Sequence, residues 1–239
     1  MVIDRSYYFM KAGLNLARAL FVTNQTEKKQ QAELGYWQLQ KAKSGELSAD
    51  HYEYFYTTHF DIDKEEYRGK RILDIGCGPR GSLDWATMTK RRVGLDPLAE
   101  EYQRAGLIRD SGMEYVDSGA EEIPFSDDFF DVVVSFNSLD HVDDLEKTIS
   151  EITRVTASGG LFLLITDVNH DPTVTEPVSY EWDVVDRFTP QFELHWKDCR
   201  EKSEDGIYAS ARDGEPYDFS NDEARYGVLS AKFVRVPDE

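Results

Sequence analysis

The stretch "RILDIGCGPRGSLDW", residues 71–85, decides the fold. Ile72-Leu73-Asp74-Ile75 reads as a buried strand that breaks into Gly76, Gly78 and Gly81, and residues 82–88 continue with a helical pattern. Glycines permit positive φ and let a ligand approach the backbone closely. A helix start after such a turn aims free N–H groups at that ligand. The next strand, 92–95, ends at Asp96, 20 residues after Gly76, where a carboxylate can accept hydrogen bonds from both hydroxyls of a ribose.

Downstream, strands and helices alternate. A helix is expected over 98–105, a short strand over 113–116 and a fully apolar strand, "DVVVSF", over 131–136. Leu145, Ile149, Ile152 and Val155 share one helical face, Gly159-Gly160 ends that helix, and "LFLLIT" (161–166) is another buried strand. This alternation predicts an α/β fold with a parallel sheet covered by helices on both faces. After Asp167 it stops: a loop leads to a helix over 180–188, and strands at 192–196 and 228–236 flank a polar connection, 197–226, with few periodic features.

Ahead of the glycine strand, Met10, Leu14, Ala17 and Phe21 mark one helical face, Asn24 with Glu27 caps a second helix, and Ser48 caps a third carrying Tyr52, Phe55, Tyr56 and Phe60. Residues 1–65 are therefore expected to form an aromatic helical cap on a Rossmann-like unit, 66–239, in a single globular whole.

A formal charge of −19 repels phosphate backbones and anionic headgroups, which argues against nucleic acid and membrane partners. Two cysteines, Cys77 and Cys199, are too few for a disulfide framework and suit a reducing compartment. No stretch is long and apolar enough to span a bilayer. The N-terminus reads as an amphipathic helix and not as a signal peptide, so a cytoplasmic protein is expected.

NAD and S-adenosylmethionine both carry adenosine, and the glycine pattern alone does not separate them. Asp74 does: a carboxylate beside a pyrophosphate repels it, whereas an ammonium or sulfonium is attracted. Gly119-Ala120-Glu121, shortly before the fourth strand, offers a backbone N–H and a carboxylate to an adenine ring. With "ILDIGCGPRG", "VGLDP", "GAEEIPFSDDFFDVV" and "RVTASGGLFLLI" in order over residues 70–167, the chain resembles the class I S-adenosylmethionine-dependent methyltransferases. Within them it is most similar to the small-molecule branch of ubiquinone and menaquinone biosynthesis.

The resemblance implies a seven-stranded sheet of order 3-2-1-4-5-7-6 with strand 7 antiparallel, and methyl transfer to a small-molecule acceptor by in-line displacement. It places Asp74, Gly76, Cys77 and Gly78 at the methionine end of the cofactor and Asp96 on the ribose. Pro97 with Leu98 packs on the adenine, Ala120 and Glu121 recognise it, and Asn137 approaches the methionine amino group. The family has glycine where Arg80 stands. The competing reading is a protein of the same fold that binds S-adenosylmethionine without methylating.

Tyr56 is expected over the sulfonium, as part of a lid. His141, just past the fourth strand, is the candidate general base for an oxygen acceptor. His141, Asp167, His170 and Asp171 show no HxH or HxxxH spacing, so they read as solvated rim residues and no metal set is expected.

Overall fold

The computed structural model describes residues 5–221 and 223–237. The apolar runs assemble into one sheet: β1 (Arg71–Ile75), β2 (Arg91–Leu95), β3 (Glu114–Val116), β4 (Phe130–Phe136), β5 (Thr156–Val168), β6 (Phe192–Glu201) and β7 (Gly227–Arg235). The order is 3-2-1-4-5-7-6. The first five strands pair in parallel, and β7 runs antiparallel to both β5 and β6. The helices are α1 (Arg5–Phe21), α2 (Gln25–Ser44), α3 (Tyr52–Tyr56), α4 (Ala99–Arg104), α5 (Leu145–Val155) and α6 (Ile207–Asp213).

Side chains alternate across a strand, so β1 divides its residues between two cores. Leu73 and Ile75 join Val133, Leu164, Ile149, Ile152 and Phe188 under α5 and the 3-10 turn Trp182–Phe188. Ile72 joins Val132, Val134, Leu163 and Ile165 on the other face, under α3, α6 and the turns Thr58–Phe60 and Lys64–Tyr67. Asp74 falls on this second face and is buried.

The helix predicted over 82–88 is a series of turns. Asp84 N bonds Gly81 O at 3.0 Å and Ala86 N bonds Leu83 O at 3.1 Å, three-residue links rather than the four of an α-helix. The Arg92 guanidinium takes the Leu83 and Asp84 carbonyls at 3.1 and 3.2 Å. Trp85 packs against the rings of Tyr56 and Tyr67, so N-terminal aromatics cover the face that a helix would cover. Gly159-Gly160 does not precede the fifth strand but lies within β5, where Gly159 has φ +71° and the pairing with β4 shifts register: a bulge. The region 197–226 holds the end of β6 and all of α6. Residues 182–188 form a 3-10 helix rather than an α-helix.

Of the expected cap 1–65, residues 1–4 lie outside the described residues. Asn24 caps α2 as expected, accepting from Glu27 N at 2.9 Å. Ser48 caps nothing; it bonds Asp50, and α3 is five residues long. The α1 face is reversed: Ala12, Asn15 and Ala19 are buried, while Met10, Leu14 and Phe21 are exposed. Small residues allow α1 close to α2, where Asn15 donates to Gln38 at 2.9 Å. In turn α2 lies on α4 through Leu34, Leu98, Tyr102 and Leu107, with Trp37 against them.

Candidate functional site

Parallel strands deliver their carboxyl ends to one edge of a sheet, and the loops there frame a crevice at the point where strand order reverses. Here that edge holds a cleft of about 840 Å³. Its wall includes every cofactor-binding or catalytic candidate read from sequence: Tyr56, Asp74, Gly76, Cys77, Gly78, Asp96, Pro97, Ala120, Glu121, Asn137 and His141.

Asp74 is 3% exposed and accepts a short hydrogen bond from Ser82 Oγ. Burial pushes its carboxyl up to about 7. Tyr56 stands beside it, its ring against Phe136 and Trp85 and its buried hydroxyl turned to the Asp74 carboxyl, which it helps to hold down. Tyr56 is thus part of the cleft floor, packed from below by the sheet, and not an outer lid.

The glycine turn works differently from a phosphate cradle. Gly76 N and Cys77 N both donate to Leu95 O, at 2.8 and 3.3 Å, and Gly78 N donates to Asp96 Oδ2 at 3.0 Å. The amides that a pyrophosphate needs are spent on β2, and the chain beyond them forms turns instead of a helix start. Gly76 has φ +68°, and a Cβ there would collide with Ser138, whose hydroxyl donates to Ile75 O at 2.7 Å. The Cys77 thiol points back against Gly94, so only the backbone of Cys77 faces the cleft side.

Asp96 also accepts from Leu98 N, at 2.9 Å, and burial pushes its carboxyl up to about 6. A carboxylate has about four lone-pair positions, so two remain for hydroxyls. Leu98 is buried beside the exposed Pro97. Glu121 is committed to the chain: its Oε1 accepts from Asp143 N at 2.6 Å and Asp144 N at 3.2 Å, fastening the turn that enters α5. Asn137 holds φ +56° with its N–H bonded to Ile165 O at 2.7 Å. Left-handed backbone at a non-glycine residue is strained and concentrates at functional sites.

At the far end, His141 Nε2 has no hydrogen-bond partner, and burial lowers its imidazolium to about 4. The solvated-rim reading fails here: Asp167 and His170 are buried, as is the neighbouring Asp140, and only Asp171 is exposed. Asp167 is held by Lys202 Nζ, at 2.6 and 2.7 Å, and by Tyr226 Oη at 2.8 Å.

Sequence reasoning missed the roof. From α2, Lys29, Glu33, Tyr36 and Trp37 line the cleft; Trp37 lies on Gly78 and donates to Glu33 Oε1 at 3.0 Å, and Arg80 stacks on its ring. Trp37, not Tyr56, is the aromatic over the glycine turn. Nothing in α2 announces this, because which face of a helix meets the sheet edge depends on the α1–α2–α4 packing. His51, Tyr52 and Tyr208 close the floor, the last from the helix inside the polar connection.

Residues 73–164 match the family model described as a methyltransferase domain. The ubiquinone/menaquinone biosynthesis C-methyltransferase UbiE of Vibrio parahaemolyticus is 34% identical over 137 residues, 52% of this chain and 51% of that protein. A phthiotriol/phenolphthiotriol dimycocerosates methyltransferase of Mycobacterium ulcerans is 29% identical over 139 residues, 56% of this chain and 49% of its own. The chain spans about half the length of these relatives. The YcgJ protein of Bacillus subtilis has the same fold, with a TM-score of 0.52 at 17% identity over 72% of this chain and 95% of that one.

Proposed function

We propose, from the premise that this chain belongs to the class I S-adenosylmethionine-dependent methyltransferases, that it transfers a methyl group to a small-molecule acceptor held in the cleft. The observation that carries this is the charge of the pocket. Asp74 and Asp96 are buried side by side, both carboxyls are raised by burial, and among the described residues no cationic side chain is paired with either. A site with that deficit suits a cationic ligand and disfavours a pyrophosphate.

S-adenosylmethionine fits this donor set and would supply an electrophilic methyl group on a good leaving group. Asp74 and the Gly76–Gly78 backbone would hold its amino-acid end, with Asn137 beside them. Asp96 would take the ribose through its two remaining lone pairs, and Ala120 and Leu98 would sandwich the adenine. Glu121 would act through the turn it fastens rather than as a direct partner. Tyr56 and Trp37 would exclude water from floor and roof. The chain itself has mainly to orient donor and acceptor.

The second reading, a protein that binds the same cofactor without methylating, draws support from His141. A base whose conjugate acid sits near 4 is poorly matched to an alcohol or phenol. Calorimetry with S-adenosylhomocysteine and NAD tests the common core of both readings: the sulfur nucleoside binds and NAD does not. Binding of NAD alone overturns them. Release of S-adenosylhomocysteine with any member of a hydroxyl- and amine-bearing acceptor panel then separates them.

A further inference from the structure

The His141 end of the cleft holds a cluster that the cofactor residues leave unexplained. Asp140 lies in the 3-10 turn Leu139–His141 behind β4 and is 0% exposed, and among the described residues neither of its carboxylate oxygens has a hydrogen-bond partner. Its Oδ1 stands 3.8 Å from His141 Nε2, and its Oδ2 stands 3.6 Å from His170 Nε2. Glu176 Oε1 is 3.9 Å from the same His141 nitrogen. Both imidazole nitrogens are likewise buried and unpartnered. One donor atom each from Asp140, His141 and Glu176 fits within a span of 4.8 Å.

These separations are too long for hydrogen bonds. They are close to the ~3.4 Å that separates donors about 2.1 Å from a common tetrahedral ion. Buried polar groups left without partners are costly, so an occupant is expected among them. His170 stands behind Asp140 with its ring fixed: its Nδ1–H donates to Asp171 O at 3.0 Å, which leaves Nε2 facing the Asp140 carboxyl. The segment carrying Glu176 is tied down on both sides, by Thr173 N to Glu176 O at 2.9 Å and by Val178 N to Asp140 O at 3.2 Å. Charge agrees as well. The Asp167 carboxylate is already paired with Lys202, which leaves the Asp140 and Glu176 carboxyls to match the charge of one divalent cation.

We infer that Asp140, His141 and Glu176 form a binding site for a single divalent first-row transition-metal ion, with His170 set against the far oxygen of Asp140. An imidazole nitrogen with two carboxylates favours zinc or its neighbours over magnesium and calcium, which prefer oxygen alone. His141 and Glu176 line the cleft, so the ion lies against its wall with the acceptor space on its open side. On the methyltransferase reading, on which this one step rests, the ion would hold an oxygen-bearing acceptor and make its hydroxyl more acidic.

The test needs neither acceptor nor turnover. The full chain is stripped with chelator, desalted and titrated with zinc chloride by calorimetry, with the metal content of the dialysed protein measured by mass spectrometry. One zinc per chain is expected, at micromolar affinity or tighter. Asp140→Asn, His141→Gln and Glu176→Gln should each weaken it at least tenfold. Glu176 is partly exposed on a loop, so Glu176→Gln keeps the test decisive if the Asp140 variant fails to fold. S-adenosylhomocysteine affinity, measured on the same samples, reports the cofactor site separately: zinc uptake without nucleoside binding sinks the functional reading and leaves the metal site standing. Absence of stoichiometric zinc, or zinc bound equally well by parent and Glu176→Gln, overturns the inference.

Discussion

Asp96→Ala tests the double duty of one carboxylate. In the protein it braces two buried N–H groups, Gly78 at 3.0 Å and Leu98 at 2.9 Å. Orphaning both costs about 2–6 kcal/mol, at about 1–3 kcal/mol each. Against this stands the cost of burying the charge. A carboxyl raised from 3.8 to about 6 opposes folding at pH 8 by about 3 kcal/mol, since each tenfold gain in proton affinity on folding is worth about 1.4 kcal/mol. The alanine relieves that penalty, so at pH 8 the net effect runs from a gain of about 1 kcal/mol to a loss of about 3 kcal/mol. For a chain of this size that lowers the thermal midpoint by no more than ~12 °C. Binding has no such offset. Losing two hydroxyl bonds to a charged acceptor, at about 1.5–3 kcal/mol each, weakens S-adenosylhomocysteine by about 10²–10⁴-fold. Calorimetry at pH 8, with the midpoint read by scanning fluorimetry, measures both quantities. A folded variant that binds the nucleoside as tightly as the parent refutes the ribose role and leaves Asp96 as a backbone brace. If the alanine variant does not fold, Asp96→Asn, which keeps one acceptor oxygen, takes its place.

The ligand-free protein should lose stability as pH rises from about 6.5 to 8. Asp74 and Glu33 both have folded values of about 7, above their unfolded values of 3.8 and 4.5, so in that window the folded state holds protons that the unfolded state has lost. His59 and His141, lowered to about 4, act in the opposite sense, but their contribution is complete once pH passes the unfolded value of 6.5. A midpoint that rises from pH 6.5 to pH 8 in chelator would contradict this. Trp37→Leu removes the roof over Gly78 and should speed S-adenosylhomocysteine dissociation several-fold while leaving the midpoint within a few degrees; an unchanged off-rate in stopped flow would show that α2 does not cover the ligand. Tyr56→Leu, which opens the floor between Phe136 and Trp85, should lower both stability and nucleoside affinity. A loss of stability alone would make Tyr56 packing only.

Local pattern was enough wherever one segment carried the information. The Ile72–Ile75 run, the apolar strands β4 and β5 and the periodicity of α5 marked the sheet's central strands, because a strand buried on both faces must be apolar whatever it packs against. Asp74 and Asp96 were legible for the same reason: each sits at a set distance from a strand end, and strand ends place side chains at one edge. What the sequence left undetermined depends on pairs of distant segments. The helix pattern at 82–88 was overridden because Tyr56, Tyr67 and Arg92 occupy its face and its carbonyls. The apolar stripe of α1 turned outward because small residues allow closer packing on α2. Asp140, His141 and Glu176 converge from two loops about 35 residues apart, with no spacing that a linear motif could show. Periodicity reports which side of a segment is apolar, whereas only the assembled chain decides what that side meets and which polar groups are left facing one another.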